Sequence, residues 1–349
     1  MRDDRVPDLA LPPLDPKKSF IVGVLDKEIR LSFAKRIRET LPEEFRELIP
    51  NSKEKDAPDL KFAKDDTPFA KEGRSVHTLL KKKAPEEEVQ RVLDSVQEQA
   101  EGLGMDKEAA LAKSIDVYMT CILSTGNKSL SHVLSMIDRC KDRLLAVTPT
   151  SESTQRQIVS SVVEYWHEHP GTAVNIIDKL LNYTIVTPMS VIRWALDDSI
   201  NHGKALANPQ IYELISITMF KVTNRVHQLL RHRNNIAMPF EQRQQVDEAL
   251  PREHQGMREL FQAIEDPVAS VAAGSQDGMM EAYEGDESEL DYVKAWGARW
   301  ARVWSRKSAV EEVIFAEGMA LPMDEPAAVP LPMDVGDEGL GEEDMDQVS

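Results

Sequence analysis

Residues Gly126, Asn127, Lys128 and Ser129 share features with the end of a phosphate-binding loop, whose backbone amides and lysine hold nucleotide phosphates. That loop requires glycine directly before the lysine and a second glycine five residues before the first. Here Asn127 precedes Lys128, and Cys121 stands five residues before Gly126. No strand is predicted ahead of the motif. The pattern therefore favours a turn followed by a helix that Ser129 caps.

Two histidines, His167 and His169, flank Glu168 and could suggest a metal site. Side chains two positions apart on a helix point in different directions, so this pair cannot share one ion. Histidines at a helix end also complement the negative pole of the helix dipole. We predict a helix end here and no metal site.

A basic turn ends a long predicted helix that begins at Asn208-Pro209. It contains His227, Arg231, His232 and Arg233. Positive side chains at this end complement the helix dipole. Contact with a phosphate or an acidic partner remains a second interpretation, with Arg231 and Arg233 as the candidate contact residues.

Trp296, Trp300 and Trp304 recur every four residues and form one stripe on the last predicted helix. Such a stripe could stack on bases, as aromatic side chains do in single-strand binders. Tryptophans at helical spacing are more often core residues, and we predict core here. The cations Arg299, Arg302, Arg306 and Lys307 then form a solvated face.

Motifs for catalysis are missing from the sequence. It contains no nucleophile elbow, no paired-carboxylate signature and no dinucleotide fingerprint, and Cys121 and Cys140 lack metal-ligand spacing. We predict a protein that is not an enzyme, with no cofactor and no metal, and with both thiols buried. The net charge is −18, half of it from nine acidic residues after Ala320, which argues against a broad nucleic-acid surface.

The elements that position these residues are helices. Apolar residues between Thr154 and Leu196 recur at i, i+3, i+4 and i+7 in three successive segments, which Pro170-Gly171 and Thr187-Pro188 separate. None of these segments can bury its apolar stripe alone, so the three must pack against one another. Helix pairs follow every 35 to 50 residues in loose solenoid spacing.

The fold class predicted is therefore all-α, a HEAT-like stack of helical hairpins. We expect a disordered leader over residues 1–18 and a helical-repeat domain over 19–318, with loops at about 50–72 and 266–285. A disordered acidic tail over 321–349 completes the prediction, since charged, Pro-rich ends have little to bury. No segment approaches 18 consecutive apolar residues, and the acidic amino terminus does not match a secretory signal, so we expect an intracellular protein without a membrane span.

The sequences of several predicted helices resemble those of one known family. The closest run extends from VVEYWHEHP to NIIDKLLNYTIVTPMSVIRWAL, with support from DKEIRLSFAKRIRETLP, GNKSLSHVLSMIDRCKDRL and WGARWARVWSRKSAVEE. These phrases, in this order between about Glu28 and Gly318, resemble the carboxy-terminal helical domain of the large subunit of the nuclear mRNA cap-binding complex. That domain is similar to the middle domain of the scaffold translation initiation factor four-gamma.

The resemblance implies a non-catalytic scaffold in mRNA metabolism. In that family a small subunit with an RNA-recognition motif holds the methylated cap, and the large subunit braces it and docks RNA processing and export factors. The expected partners are that small subunit, capped RNA indirectly, and those factors. The expected location is the nucleus, with shuttling to the cytoplasm left open.

Family proteins are longer, so we expect this chain to be a fragment, a truncated product or a shortened relative. The alternative function is a free-standing RNA-binding helical-repeat protein that uses the Trp stripe or the turn at Arg231 and Arg233. A positive groove would favour that alternative, and an acidic or mixed surface would favour the scaffold.

Overall fold

The computed structural model describes residues 36–48, 58–147, 151–198, 201–274 and 287–321. The chain divides into two compact units, Met1–Pro58 and Asp59–Ser349. In the described part of the first unit, residues 36–40 are helical and a 3₁₀ helix covers Glu43–Leu48. The predicted leader over 1–18 and the predicted tail beyond Leu321 lie outside the described residues.

The second unit is built from helices, and no strand occurs among the residues described. The helices are α1 (Ala70–Lys82), α2 (Glu86–Gly102), α3 (Lys107–Gly126), α4 (Leu130–Val147), α5 (Glu152–Tyr165), α6 (Pro170–Asn182), α7 (Pro188–Arg193), α8 (Pro209–Arg233), α9 (Phe240–Ala273) and α10 (Glu287–Ala320). Short 3₁₀ helices cover Lys61–Ala63 and Lys204–Ala207, and a π-helical turn follows α7 at Trp194–Asp198. The all-α, helical-repeat prediction is confirmed. No described helix combines the length and the apolar content that crossing a bilayer requires.

Helix α3 is the centre of the amino-terminal half, where it packs against α1, α2, α4 and α5. Every residue from Val117 to Ser124 is buried, so this helix has no solvent face over two turns. A helix that is buried all round must be covered by neighbours on every side. The four surrounding helices meet that requirement.

The polar groups of α3 are satisfied inside this packing. Ser114 Oγ donates to the Leu93 carbonyl at 3.1 Å, and the Cys121 thiol donates to the Gly73 carbonyl at 3.2 Å. Burial raises the pKa of the Cys121 and Cys140 thiols, which keeps both protonated. Both cysteines are free and buried, as the sequence predicted.

An ion-pair network fastens the segment ahead of α1 to α3 and α5. Lys61 Nζ lies 2.9 Å from Asp116 and 3.1 Å from Glu164, and Ser161 Oγ donates to Asp116 at 2.8 Å. Burial alone would lower the pKa of Lys61, but the two carboxylates outweigh it and the pKa is raised. The neighbouring Phe62 is buried, and its ring fills the space in which Gly73 lacks a side chain.

This segment corrects one predicted loop. Residues 50–57 lie outside the described residues, but Lys61–Ala63 form a 3₁₀ helix and α1 already begins at Ala70. The prediction of a loop as far as residue 72 was wrong at its end. Phe62 supplies the burial that turns this polar stretch into ordered structure.

The three central helices match their prediction. Ser151 caps α5, and Thr187 forms a reciprocal capping box with Ser190 at the start of α7. Pro170 and Pro188 stand in the first turns of α6 and α7, where a missing N–H removes no hydrogen bond. The apolar stripes of these helices are buried, and Trp166 is 4% exposed.

Helix α9 contradicts the predicted loop over 266–285. It runs unbroken to Ala273 and contains Pro251 and Pro267, while residues 275–285 lie outside the described ones. A proline inside a helix costs about 3 kcal/mol. Val268 and Val271 are fully buried beyond Pro267, and such burial stabilises by about 1.5–3 kcal/mol for each side chain. Burial against α10 therefore outweighs the cost of the proline.

Helices α9 and α10 approach closely because glycine stands at their crossing. A Cβ on Gly297 would lie 2.7 Å from the Ala272 backbone nitrogen and 3.0 Å from its Cα. These are backbone atoms, which cannot rotate away. Gly256 in α9 offers a matched contrast, since a Cβ there meets nothing within 4 Å.

We expect Gly297→Ala to destabilise the protein by about 1–3 kcal/mol, because the added methyl forces the two helices apart. Gly256→Ala should instead stabilise it by about 0.5–1 kcal/mol through helix propensity alone. Urea unfolding followed by circular dichroism measures both. Equal effects of the two substitutions would show that α9 and α10 are not in backbone contact at Gly297.

Candidate interaction surface

The basic turn at the end of α8 separates into one buried and one exposed arginine. Arg233 is 7% exposed, forms an ion pair with Asp247, and donates from Nη1 to the Leu321 carbonyl at 2.8 Å. Arg231 is exposed, and its Nε donates to the His227 carbonyl at 3.3 Å. Residues two positions apart on a helix point in different directions, so the two candidate contact residues are not brought together.

Arg233 serves the fold, which corrects its interpretation as a surface contact. Its Nη1 also bonds Asn234 Oδ1 at 2.8 Å, and Asn234 Nδ2 donates to the Gly318 carbonyl at 3.1 Å. The end of α8 thus holds the last turn of α10. Of the predicted pair, Arg231 is the one that solvent reaches.

Histidines and carboxylates fasten the same half of α10 from both sides. His227 Nε2 lies 2.6 Å from Glu311 Oε2, and His254 Nε2 lies 3.1 Å from Glu312 Oε1. The His254 ring also stacks on Phe315 with ring centroids 3.6 Å apart. His227 therefore acts through a partner on α10 and does not extend the exposed basic turn.

The other candidate motifs fold as structural elements. Ser129 Oγ accepts from the His132 amide at 3.3 Å, as a helix cap does. A Cβ on Gly126 would meet the Val133 Cα at 2.7 Å, so this glycine permits close packing of α3 and α4. Within the described ranges, no group of three or more His, Cys, Asp or Glu residues could hold a metal ion.

The tryptophan stripe of α10 is core for two of its three members. Trp300 is 2% exposed and donates from Nε1 to the Leu206 carbonyl at 2.9 Å, and Trp304 is 0% exposed. Trp296 is half-buried, with the Arg299 guanidinium 5.1 Å from its ring. Trp300 and Trp304 have no open faces for stacking bases.

The carboxy-terminal half of α10 is less buried than the half that carries Trp300 and Trp304. Val310 and Ile314 lie on the same side of the helix as the tryptophan stripe, yet they are 55% and 37% exposed. The neighbouring Val313 is also exposed. Helix α10 is the last described helix and no described helix covers this face, so its apolar stripe meets solvent.

One of these exposed residues, Val310, lines a groove between α8 and α10. It encloses about 340 Å³ and is lined by Phe220 and Thr223 from α8 and by Trp304, Lys307 and Val310 from α10. Phe220 is 67% exposed, and the Lys307 ammonium lies 4.5 Å from the Trp304 ring. A groove with an apolar floor and a cationic rim can bind an extended segment that has apolar and acidic residues.

Sequence reasoning missed this groove although one signal was present. Phe220 lies off the stripe of α8 that Met219 and Val226 define, and a large aromatic residue on the polar side of a helix is a signal of contact. The sequence position of Val310 gave no signal of the groove, because its spacing fits the buried stripe of α10 equally well. Position on a helix face tells which residues are neighbours but not whether another element covers them.

Stacked helical hairpins without strands in the described part define a helical-repeat protein, and this one carries an apolar groove. A family model described as MIF4G like matches residues 60–313, and a second family model with the same description matches residues 1–43. The chain belongs to this MIF4G-like family.

Three relatives share the name Nuclear cap-binding protein subunit 1. The chain is 24% identical to the one from Schizosaccharomyces pombe over 233 residues, 67% of this chain and 28% of the relative. For Oryza sativa subsp. japonica the identity is 22% over 317 residues, 87% of this chain and 35% of the relative. For Salmo salar it is 29% over 231 residues, 64% of this chain and 28% of the relative.

The comparisons confirm the resemblance to the large cap-binding subunit. The chain spans between 28% and 35% of the length of these relatives. The match over 60–313 runs through the described helices into the second half of α10.

The two arginines of the basic turn should differ in how much each stabilises the protein. Arg233→Ala should destabilise the protein by about 3 kcal/mol, because Asp247 and the carbonyls that close α10 lose their buried cation. Arg231→Ala, two residues away and exposed, should change stability by less than about 0.5 kcal/mol. Thermal and urea unfolding of both variants tests this, and a similar loss in both would contradict the assignment of Arg233 to the fold.

Proposed function

We propose that this chain is a non-catalytic helical scaffold of a nuclear cap-binding complex. The observation that carries the proposal is the similarity to three relatives named Nuclear cap-binding protein subunit 1, within a family match that covers residues 60–313. The described surface supports it, since stacked hairpins present long exposed faces that suit binding. In the described part, no group of three or more His, Cys, Asp or Glu residues could hold a metal ion, and the motif at Lys128 is a helix-capping turn.

In this proposal the chain braces a small subunit that carries an RNA-recognition motif and reads the cap. It also offers docking surface to RNA processing and export factors, and it works in the nucleus. The partner would contact capped RNA directly, and the scaffold would contact it only through the partner. The net charge of −18 fits a protein whose main binding partner is not nucleic acid.

One observation favours a second candidate, a free-standing RNA-binding protein. Helix α10 carries exposed Arg299, Arg302, Arg306 and Lys307, and its sequence contains no acidic residue between Lys294 and Val310. A row of cations on one face can follow a phosphate backbone. The two candidates differ in what remains bound when RNA is removed.

The test is affinity purification of the tagged chain from its native cells, with and without ribonuclease, followed by identification of bound proteins. We expect an RNA-recognition-motif subunit to remain at least about 10-fold enriched over an untagged control after ribonuclease. The matched variant Arg299→Ser/Arg302→Ser/Arg306→Ser should retain that subunit. If ribonuclease removes every partner, and the triple variant loses RNA, the second candidate is correct and the scaffold proposal fails.

A further inference from the structure

The groove between α8 and α10 has the chemistry of a site for a proline-rich segment. Its exposed aromatic residue is Phe220, which is 67% exposed, and the buried rings of Phe261 and Trp304 lie beneath its floor. Tyr212 extends the aromatic surface along α8, with the Lys307 ammonium 5.6 Å from its ring. Proline-rich segments bind aromatic-lined grooves because their extended backbone is already restricted and loses little entropy on docking.

The chain itself contains a segment of that composition directly after α10. The sequence LPMDEPAAVPLPMD over residues 321–334 holds four prolines, and the tetrapeptide Leu-Pro-Met-Asp occurs at both its ends. Apolar Val329, Leu331 and Met333 stand between acidic residues, with Asp324 and Glu325 before them and Asp334 after. Apolar residues flanked by acids are the complement of an apolar groove with a cationic rim.

We propose that residues 324–334 bind in the groove between α8 and α10 of the same molecule. The apolar side chains of Val329, Leu331 and Met333 cover Phe220 and Val310. The flanking carboxylates of Glu325 and Asp334 lie against Arg306 and Lys307. This inference rests on the groove and the tail alone and does not depend on the proposed function.

The tether has the length that this arrangement needs. Leu321 is held at the end of α10 through its carbonyl, which accepts from Arg233. At about 1.5 Å of rise per residue, the groove wall at Val310 and Lys307 lies about 15–20 Å back along the helix. The ten residues from Leu321 to Leu331, at about 3.1 Å each in an extended proline-rich chain, reach about 30 Å. A short tether also gives an effective concentration on the order of mM, so a weak site is still filled.

Charge within the groove agrees with an acidic occupant. Arg306 and Lys307 are exposed on its rim. Glu311 is the acidic residue of the groove wall, and its Oε2 already lies 2.6 Å from His227 Nε2, so the two cations of the rim outnumber it. The cations of the rim therefore face the position where the carboxylates of the segment would lie.

The test measures fluorescence anisotropy of a labelled synthetic peptide of residues 322–335 with the full chain. The tail variant Leu331→Ser/Met333→Ser empties the groove, and Leu340→Ser/Met345→Ser is the matched control farther along the tail. We expect the peptide to bind the tail variant at least about 10-fold more tightly than the unmodified chain or the control, because the native tail competes. Adding Phe220→Ser to the tail variant should abolish binding, whereas Tyr292→Ser, an exposed aromatic residue outside the groove, should not.

Two results would overturn the inference. Equal affinity of the peptide for the unmodified chain and the tail variant would show that the tail does not occupy its site. Concentration-dependent dimers in sedimentation that Phe220→Ser removes, with no peptide binding, would assign the groove to a second copy of the chain. Phe220 is exposed, so its substitution leaves the core intact, and an unchanged circular dichroism spectrum checks this.

Discussion

Helix α3 has no solvent-facing side over the residues from Val117 to Ser124, and this constraint organises the amino-terminal half of the second unit. A helix buried on all sides is stable only when neighbours cover it completely, so α1, α2, α4 and α5 must pack around it. Its polar groups find partners within that packing, as the Ser114 bond to Leu93 illustrates. The Lys61 to Asp116 ion pair then closes the remaining edge with a segment of little helical character.

The carboxy-terminal half follows a different rule, since its stability depends on one close pair of long helices. Gly297 lets α10 approach the Ala272 backbone, and burial of Val268 and Val271 carries α9 through Pro267. Contacts from α8 and α9, through His227, Arg233 and His254, hold the far end of α10 in place. These contacts leave the outer side of α10 uncovered, and the groove between α8 and α10 is part of that uncovered surface.

Much of the fold could be predicted from sequence because its signals are local. Pro170 and Pro188 mark helix starts, and Thr187 caps one of them, so the central helices were placed correctly. The loop predicted from residue 266 was wrong, because the free-energy cost of Pro267 in a helix is visible in the local sequence. The burial that offsets this cost comes from α10, which is distant in the sequence.

The candidate surface was harder to predict for the same reason. Arg231 and Arg233 look alike in the sequence, yet only Arg233 meets Asp247 and the end of α10. Val310 has the spacing of a core residue but no helix covers it in the described part. The family could be identified from the order of the helical sequence segments. The exposed surface could be identified only from the way in which the helices pack.

The proposed scaffold function requires that this chain does not read the cap itself. Capture of a methylated guanine requires aromatic rings that can open onto a base, and Trp300 and Trp304 are closed within the core. The direct measurement is fluorescence titration of the isolated chain with a labelled cap analogue. The account predicts no saturable binding at micromolar concentrations. A Kd of about 1 μM or tighter, equivalent to about −8 kcal/mol, would contradict it and make the chain a direct RNA-binding protein.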